Sequence, residues 1–167
     1  CQVERSVAIS VPFVLSEAAK RLSTGLSRVY QTHLLMALKA TTRSKAELLK
    51  LSGVDLKLAL ASKTFWDFDD LVTAPLHGFE DVHDYYHQCS SLGFLKSIAR
   101  PTLILQARDD PFMTASAIPD EDHLSHHVCL ELSQKGGHVG FVSGDLPGAA
   151  QYWLDNRIAS FLSGTHP

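Results

Sequence analysis

Two short stretches hold the residue types and spacings that could do chemistry. "ARDDPFM", residues 107–113, follows the apolar run 102–106 and sets Asp109 and Asp110 side by side. "QKGGHVGF", residues 134–141, places His138 after Gly136 and Gly137 and before Val139, Gly140 and Phe141. Adjacent carboxylates repel, and a buried charge is costly without a partner. One aspartate facing inward would therefore need a cation or a histidine; the plainer alternative is a solvated turn, where Asp and Pro are ordinary residues. Glycines let a loop adopt backbone conformations closed to other residues, so the second stretch can hold out a single imidazole. A carboxylate that orients an imidazole and stabilises its charged form is the supporting pair of a Ser-His-Asp triad.

Both stretches need elements that bring them together. Thr102 to Ala107 is a near-continuous apolar run of the kind found in parallel strands covered on both faces. Val128 to Leu132 reads as a second strand, and Ser6 to Val11, closed by Pro12, as another. The aspartates and the histidine thus follow the carboxyl ends of two strands, where open α/β sheets collect their ligands. Between the first strand and the others the period turns helical. Ala19, Leu22, Leu26, Val29, Tyr30, Leu34, Leu35 and Leu38 form a three-four stripe, with Ser16 as N-cap. Shorter helices are expected over 46–51, 54–60 and 81–89, and a last one over 147–162 with Pro147 near its start and Leu154, Ile158, Phe161 and Leu162 inward.

Composition narrows the function classes. The 167 residues suit one domain with a real core, and 45% hydrophobic with 20% charged residues is ordinary for a globular chain. A net charge of −3 without a run of Lys or Arg argues against nucleic acid as a partner. No apolar stretch approaches the ~20 residues of a membrane span. The N-terminus has no signal-peptide pattern. Cys1, Cys89 and Cys129, odd in number and far apart, point to reduced thiols and a cytoplasmic setting.

"TLILQARDDPF", the 28-residue gap from Asp110 to His138, and "GGHVGF" before a terminal helix resemble the α/β-hydrolase superfamily. "VAISVPFVLS", "PLHGFEDVHDYY" and "ARDDPFM" together resemble its YheT-like branch, which is similar to esterase and lipase-like abhydrolase proteins. The resemblance covers essentially the whole chain. It implies an α/β fold with residues 1–15 as core strand and loop, 16–99 as an inserted helical cap, and 100–167 as the strands and helix carrying the acid and the histidine. It implies Asp110 as triad acid, since the pattern places the acid just before Pro-Phe, and His138 as general base. It implies a carboxylic ester, small-molecule or lipid, as substrate, with no metal and no organic cofactor.

The family's nucleophile sits on a Gly-x-Ser-x-Gly turn earlier in the chain than the acid and the histidine. That pattern is absent. Ser91 in "CSSLGF" and Ser143 in "VSGD" lack the first glycine and follow no suitable strand. The chain is therefore expected to be the C-terminal half of a longer hydrolase, inactive alone. Its partner would be the missing half or a second copy joined through the sheet edge. The competing expectation is a non-catalytic remnant or binding module using the cap surface.

Other candidates have plainer readings. His83 and His87, at i and i+4 around Asp84, could begin a metal site but lack a third ligand, and read better as an exposed helix face with Tyr85 and Tyr86 inward. His123, His126 and His127 read as loop surface, and Met113 as wall or core. Nothing beside Cys89 in the sequence activates it as a nucleophile, so it reads as a plain cysteine on a buried helix face. Phe65, Trp66, Phe68 and Phe79 fit an acyl pocket or a core equally.

Overall fold

Strand β2, Thr102–Ala107, is buried along its whole length. It pairs in parallel with β1, Ser6–Ile9, on one side and with β3, Val128–Ser133, on the other. The computed structural model describes residues 3–143 and 151–164. The fold class is α/β: a parallel three-stranded sheet in the order β1-β2-β3, together with helices. Thr102 lies opposite both Ser6 and Val128, and Ala107 opposite Ser133, so β2 and β3 end level with each other. β1 is the shorter strand, half-buried throughout, and it stops at Ile9 rather than Val11 because Ser10 turns the chain at φ 52°.

The chain divides into two compact units. The sheet unit, residues 1–13 and 91–167, has its core on one face of β2. There Leu103, Leu105 and Ala107 meet Phe141, Phe161, Ile158 and Leu154, with Val7 and Ile9 beside them. Each large side chain so buried contributes roughly 1.5–3 kcal/mol. The last three of those packing partners after Phe141 come from the terminal helix, Trp153–Ser163. Leu162, expected inward, is 48% exposed, because the packed stripe of this helix is only three residues wide. Its expected start at Pro147 lies outside the described residues, and 151–152 form a short strand paired with 142–143 rather than helix.

The helical unit, residues 14–90, contains α1 (Leu15–Leu22), α2 (Ser27–Ser44), α3 (Ala46–Lys50), α4 (Leu56–Ala61), α5 (Phe65–Phe68), α6 (Ala74–Leu76) and α7 (Val82–Cys89). Side-chain caps start several of them: Asp55 for α4, a Thr64–Asp67 capping box for α5, and Asp81 for α7. Ser16 is not a cap; the cap position falls two residues earlier, at Val14, with no side-chain bond. Phe68 and Val72 pack with Leu35, Leu49, Val54 and Ala59 in one cluster, and Tyr86 and Val82 with Ala19 in another. The expected inward stripe holds at Ala19 and Leu35 and fails elsewhere. α2 buries Ser27, Gln31, Leu35 and Thr42, while Val29, Tyr30, Leu34 and the preceding Leu26 are exposed. Gln31 explains part of this, since its Oε1 accepts from Ser23 at 2.9 Å and from the Phe65 amide at 3.4 Å, which satisfies a polar side chain inside.

Candidate active site

Three strand ends converge at the carboxyl edge of the sheet. Ser10 follows β1 directly, Asp109 and Asp110 follow β2, and His138 follows β3. Asp110 is buried, its side chain fully so, while Asp109 is exposed. The two carboxylates therefore part rather than compete.

Asp110 faces the histidine. His138 Nδ1 lies 3.0 Å from Asp110 Oδ2. The same oxygen accepts from the buried Gln106 amide, Nε2, at 3.3 Å, and Oδ1 accepts from the Phe112 backbone N–H at 2.8 Å. Three donors thus replace the water that burial removes. A carboxylate on the Nδ1 side favours the neutral tautomer with its proton there, which leaves Nε2 uninvolved in the contact with Asp110. The ring also lies against Phe112, centroids 4.4 Å apart, and its side chain retains 35% exposure. The expectation that an aspartate and a glycine-flanked histidine meet across β2 and β3 is met in the geometry.

The loop that presents His138 is tightly determined. Asp109 Oδ1 accepts two backbone N–H bonds, from Gly136 and Gly137, both at 2.9 Å. A Cβ on Gly136 would fall 2.8 Å from Phe141 Cδ1 and 2.9 Å from Ala107 Cβ, and Gly137 has φ +59°. Beyond the histidine, Val139 and Phe141 also have positive φ, 56° and 44°, and the Val139 N–H donates to Ser10 Oγ at 3.1 Å. The sequence reading assigned nothing to Ser10 or Gln106. Gln106 alone offered a signal, as a polar residue inside an apolar strand run.

Ser91 opens the 3-10 segment 91–97, and Ser143 sits in the short strand paired with Gln151. His83 and His87 are exposed on α7, His83 resting edge-on against Trp66 at 5.0 Å. Among the described residues no three His, Cys, Asp or Glu side chains form a metal-sized group. Cys89 is exposed, not buried: it shares the stripe of Val82 and Tyr86 but is the last residue of α7. Phe65, Trp66 and Phe68 belong to the helical core, Trp66 standing edge-on to Tyr86 at 5.2 Å, while Phe79 lies against Tyr85. Met113 is buried. The rings of His126 and His127 meet at a tilt of 40°, centroids 3.9 Å apart. One half-buried acid escaped the sequence reading: Asp69, in the π turn 69–73, accepts from Thr73 Oγ1 at 2.6 Å and from the Tyr86 hydroxyl at 2.7 Å. Burial pushes its carboxyl up, with those two bonds opposing, and pushes the Tyr86 phenol up as well.

A parallel sheet with an acid after one strand and a histidine after the next is the arrangement that defines the closing part of an α/β-hydrolase fold. No protein-family model matches the chain. Curated proteins do. YheT of Escherichia coli (strain K12), which carries the name of an esterase, is 41% identical over 96% of this chain and 47% of its own length. An abhydrolase domain-containing protein of Dictyostelium discoideum is 33% identical over 94% of this chain and 40% of its own. Phospholipase ABHD3 of Mus musculus is 30% identical over 90% and 36%. Over nearly its whole length the chain is thus similar to YheT-like esterase and abhydrolase proteins. It spans about half the length, or less, of these relatives. Among solved structures, an esterase of Pyrococcus furiosus matches at TM-score 0.44 and 16% identity, over 97% of this chain and 45% of that one. At that distance the likeness decides nothing about chemistry. Among the described residues no helix is long and apolar enough to cross a membrane.

Proposed function

We propose that this chain supplies the acid and the general base of a Ser-His-Asp triad that hydrolyses carboxylic esters. The nucleophilic serine would lie on a Gly-x-Ser-x-Gly turn in sequence outside these 167 residues. The observation that carries the reading is the 3.0 Å contact between His138 Nδ1 and the buried Asp110. In the reaction, Nε2 takes the serine proton as Oγ forms its bond to the ester carbonyl carbon. The same proton then goes to the leaving alkoxide as the C–O bond breaks, giving the alcohol and an acyl-serine. Water attacks the acyl-serine with His138 as base again, releasing the acid. Asp110 keeps the imidazole in the productive tautomer and stabilises the imidazolium without itself taking the proton. The relatives' names, esterase and phospholipase, support an ester as substrate class. Half of a triad needs the other half, so the catalytic partner would be a polypeptide bearing the nucleophile, whereas a second copy seated on the β1 edge would cover that edge without supplying one.

The test is a chimera in which this chain replaces the matching segment of the Escherichia coli relative, assayed on acyl esters of graded length. Turnover that falls roughly 10⁴-fold or more in His138→Ala, and comparably in Asp110→Asn, is expected. A folded chimera without turnover would favour the non-catalytic module. Turnover indifferent to His138→Ala would remove the residue from the mechanism.

A further inference from the structure

We infer that Asp109 is a positioning residue, whose carboxylate fixes the Gly136–Gly137 turn and so sets how His138 meets Asp110. The inference rests on the reading of Asp110 and His138 as acid and base, and adds a role for the neighbouring carboxylate. One oxygen, Asp109 Oδ1, takes both amide protons of the turn at 2.9 Å. Consecutive backbone N–H groups converging on an anion form a nest, and charge-assisted bonds of this kind are about twice as strong as neutral ones.

The rest of the loop shows why such an anchor is needed. Val139 is β-branched and held at φ 56°, a conformation its side chain disfavours. Strain of this kind persists only where the surroundings over-determine it. Downstream, Ser10 Oγ holds the Val139 N–H at 3.1 Å, and the Phe141 N–H closes back on the Gly136 carbonyl at 2.9 Å. Upstream, Asp109 is the tether. His138 is thus suspended between two clamps, one from the end of β1 and one from the end of β2. Because Asp109 and Asp110 are consecutive, the same two residues hold the loop's backbone and its imidazole. A displacement of the β2 end carries both together, and the Nδ1–Oδ2 contact survives it. An exposed carboxylate beside a buried one is then no liability, since its charge is spent on two N–H groups.

NMR of the chain, with amide exchange and the His138 ring signals as readouts, tests the inference. In Asp109→Ala, exchange at Gly136 and Gly137 should rise roughly tenfold or more. The His138 ring resonances should broaden or split, while amides in β2 and β3 keep their protection. Asp109→Asn, which retains an acceptor oxygen, should restore most of the exchange protection and a single ring environment. Asp109→Ala with glycine exchange and ring signals unchanged would overturn the inference. A wild-type ring indifferent to Asp110→Asn would instead overturn the acid–base reading beneath it, so the two failures are distinguishable.

Discussion

Gly136→Ala adds one methyl at the tightest point of the loop. The added Cβ would lie 2.8 Å from Phe141 Cδ1, 2.9 Å from Phe141 Cε1 and 2.9 Å from Ala107 Cβ. Carbons in comfortable contact sit about 3.5–4.0 Å apart, so the overlap is roughly 0.6–1.2 Å on two sides. Neither neighbour can step aside. Phe141 and Ala107 are 5% and 1% exposed, and both belong to the cluster that holds Leu103, Leu105 and Phe161. Overpacking of this kind costs about 1–3 kcal/mol. For a chain of this length that lowers Tm by roughly 2–4 °C per kcal/mol, or about 2–12 °C in all. Gly137→Ala is the control. Its Cβ meets nothing within 4 Å, and only the φ of +59° penalises it. That backbone cost is about 1–2 kcal/mol, without displacement of Phe141. Thermal unfolding by far-UV circular dichroism, with the near-ultraviolet aromatic signal followed in parallel, separates the two. Both variants should be destabilised, and only Gly136→Ala should alter the aromatic signal of the folded state. Gly136→Ala as stable as the wild type, with its aromatic signal intact, would refute the wedge.

Three further outcomes are expected. Burial raises the Asp69 carboxyl above its ordinary value, so its stabilising contribution is full below the unfolded pKa and lost as pH rises through the folded one. Asp69→Asn should therefore gain on the wild type between about pH 4 and neutrality, read from urea midpoints; a relative gain that grows on acidification would contradict this. The chain alone should hydrolyse p-nitrophenyl esters no faster than background, because removing a triad's nucleophile costs most of the rate; turnover abolished by His138→Ala would expose an unrecognised nucleophile. Size-exclusion chromatography with light scattering should show self-association at micromolar concentration, since β1 is an unpaired edge of the described sheet and Leu26, Val29 and Tyr30 stand exposed on α2; a clean monomer would count against it.

Strand β2 was legible to the residue because a six-residue apolar run admits few other placements, and β3 was missed by one residue at its end. The meeting of Asp110 and His138 followed from the same logic, as both flank the carboxyl ends of strands that parallel pairing brings side by side. The facing of α2 was not legible. Periodicity gives the angular phase of apolar residues but not the identity of what covers them, and here Gln31 and Leu35 turn inward while Leu26 and Val29 do not. The division of labour between Asp109 and Asp110 depended on side-chain direction after a turn, which residue type alone does not encode. Ser10 carried no signal because its role comes from a backbone angle and a partner 129 positions away. Asp69 was invisible for the same reason: its partners Thr73 and Tyr86 come together through a π turn and a separate helix.

The central claim is that Asp110 holds His138 with Nδ1 protonated and Nε2 open as the base. Two-bond ¹H–¹⁵N correlation spectra of the imidazole, recorded on the chain above the pH at which the ring is charged, read this tautomer directly. His138 should show a protonated Nδ1 and an unprotonated Nε2, with that preference lost in Asp110→Ala. A neutral His138 carrying its proton on Nε2, or a tautomer unchanged by Asp110→Ala, would contradict it.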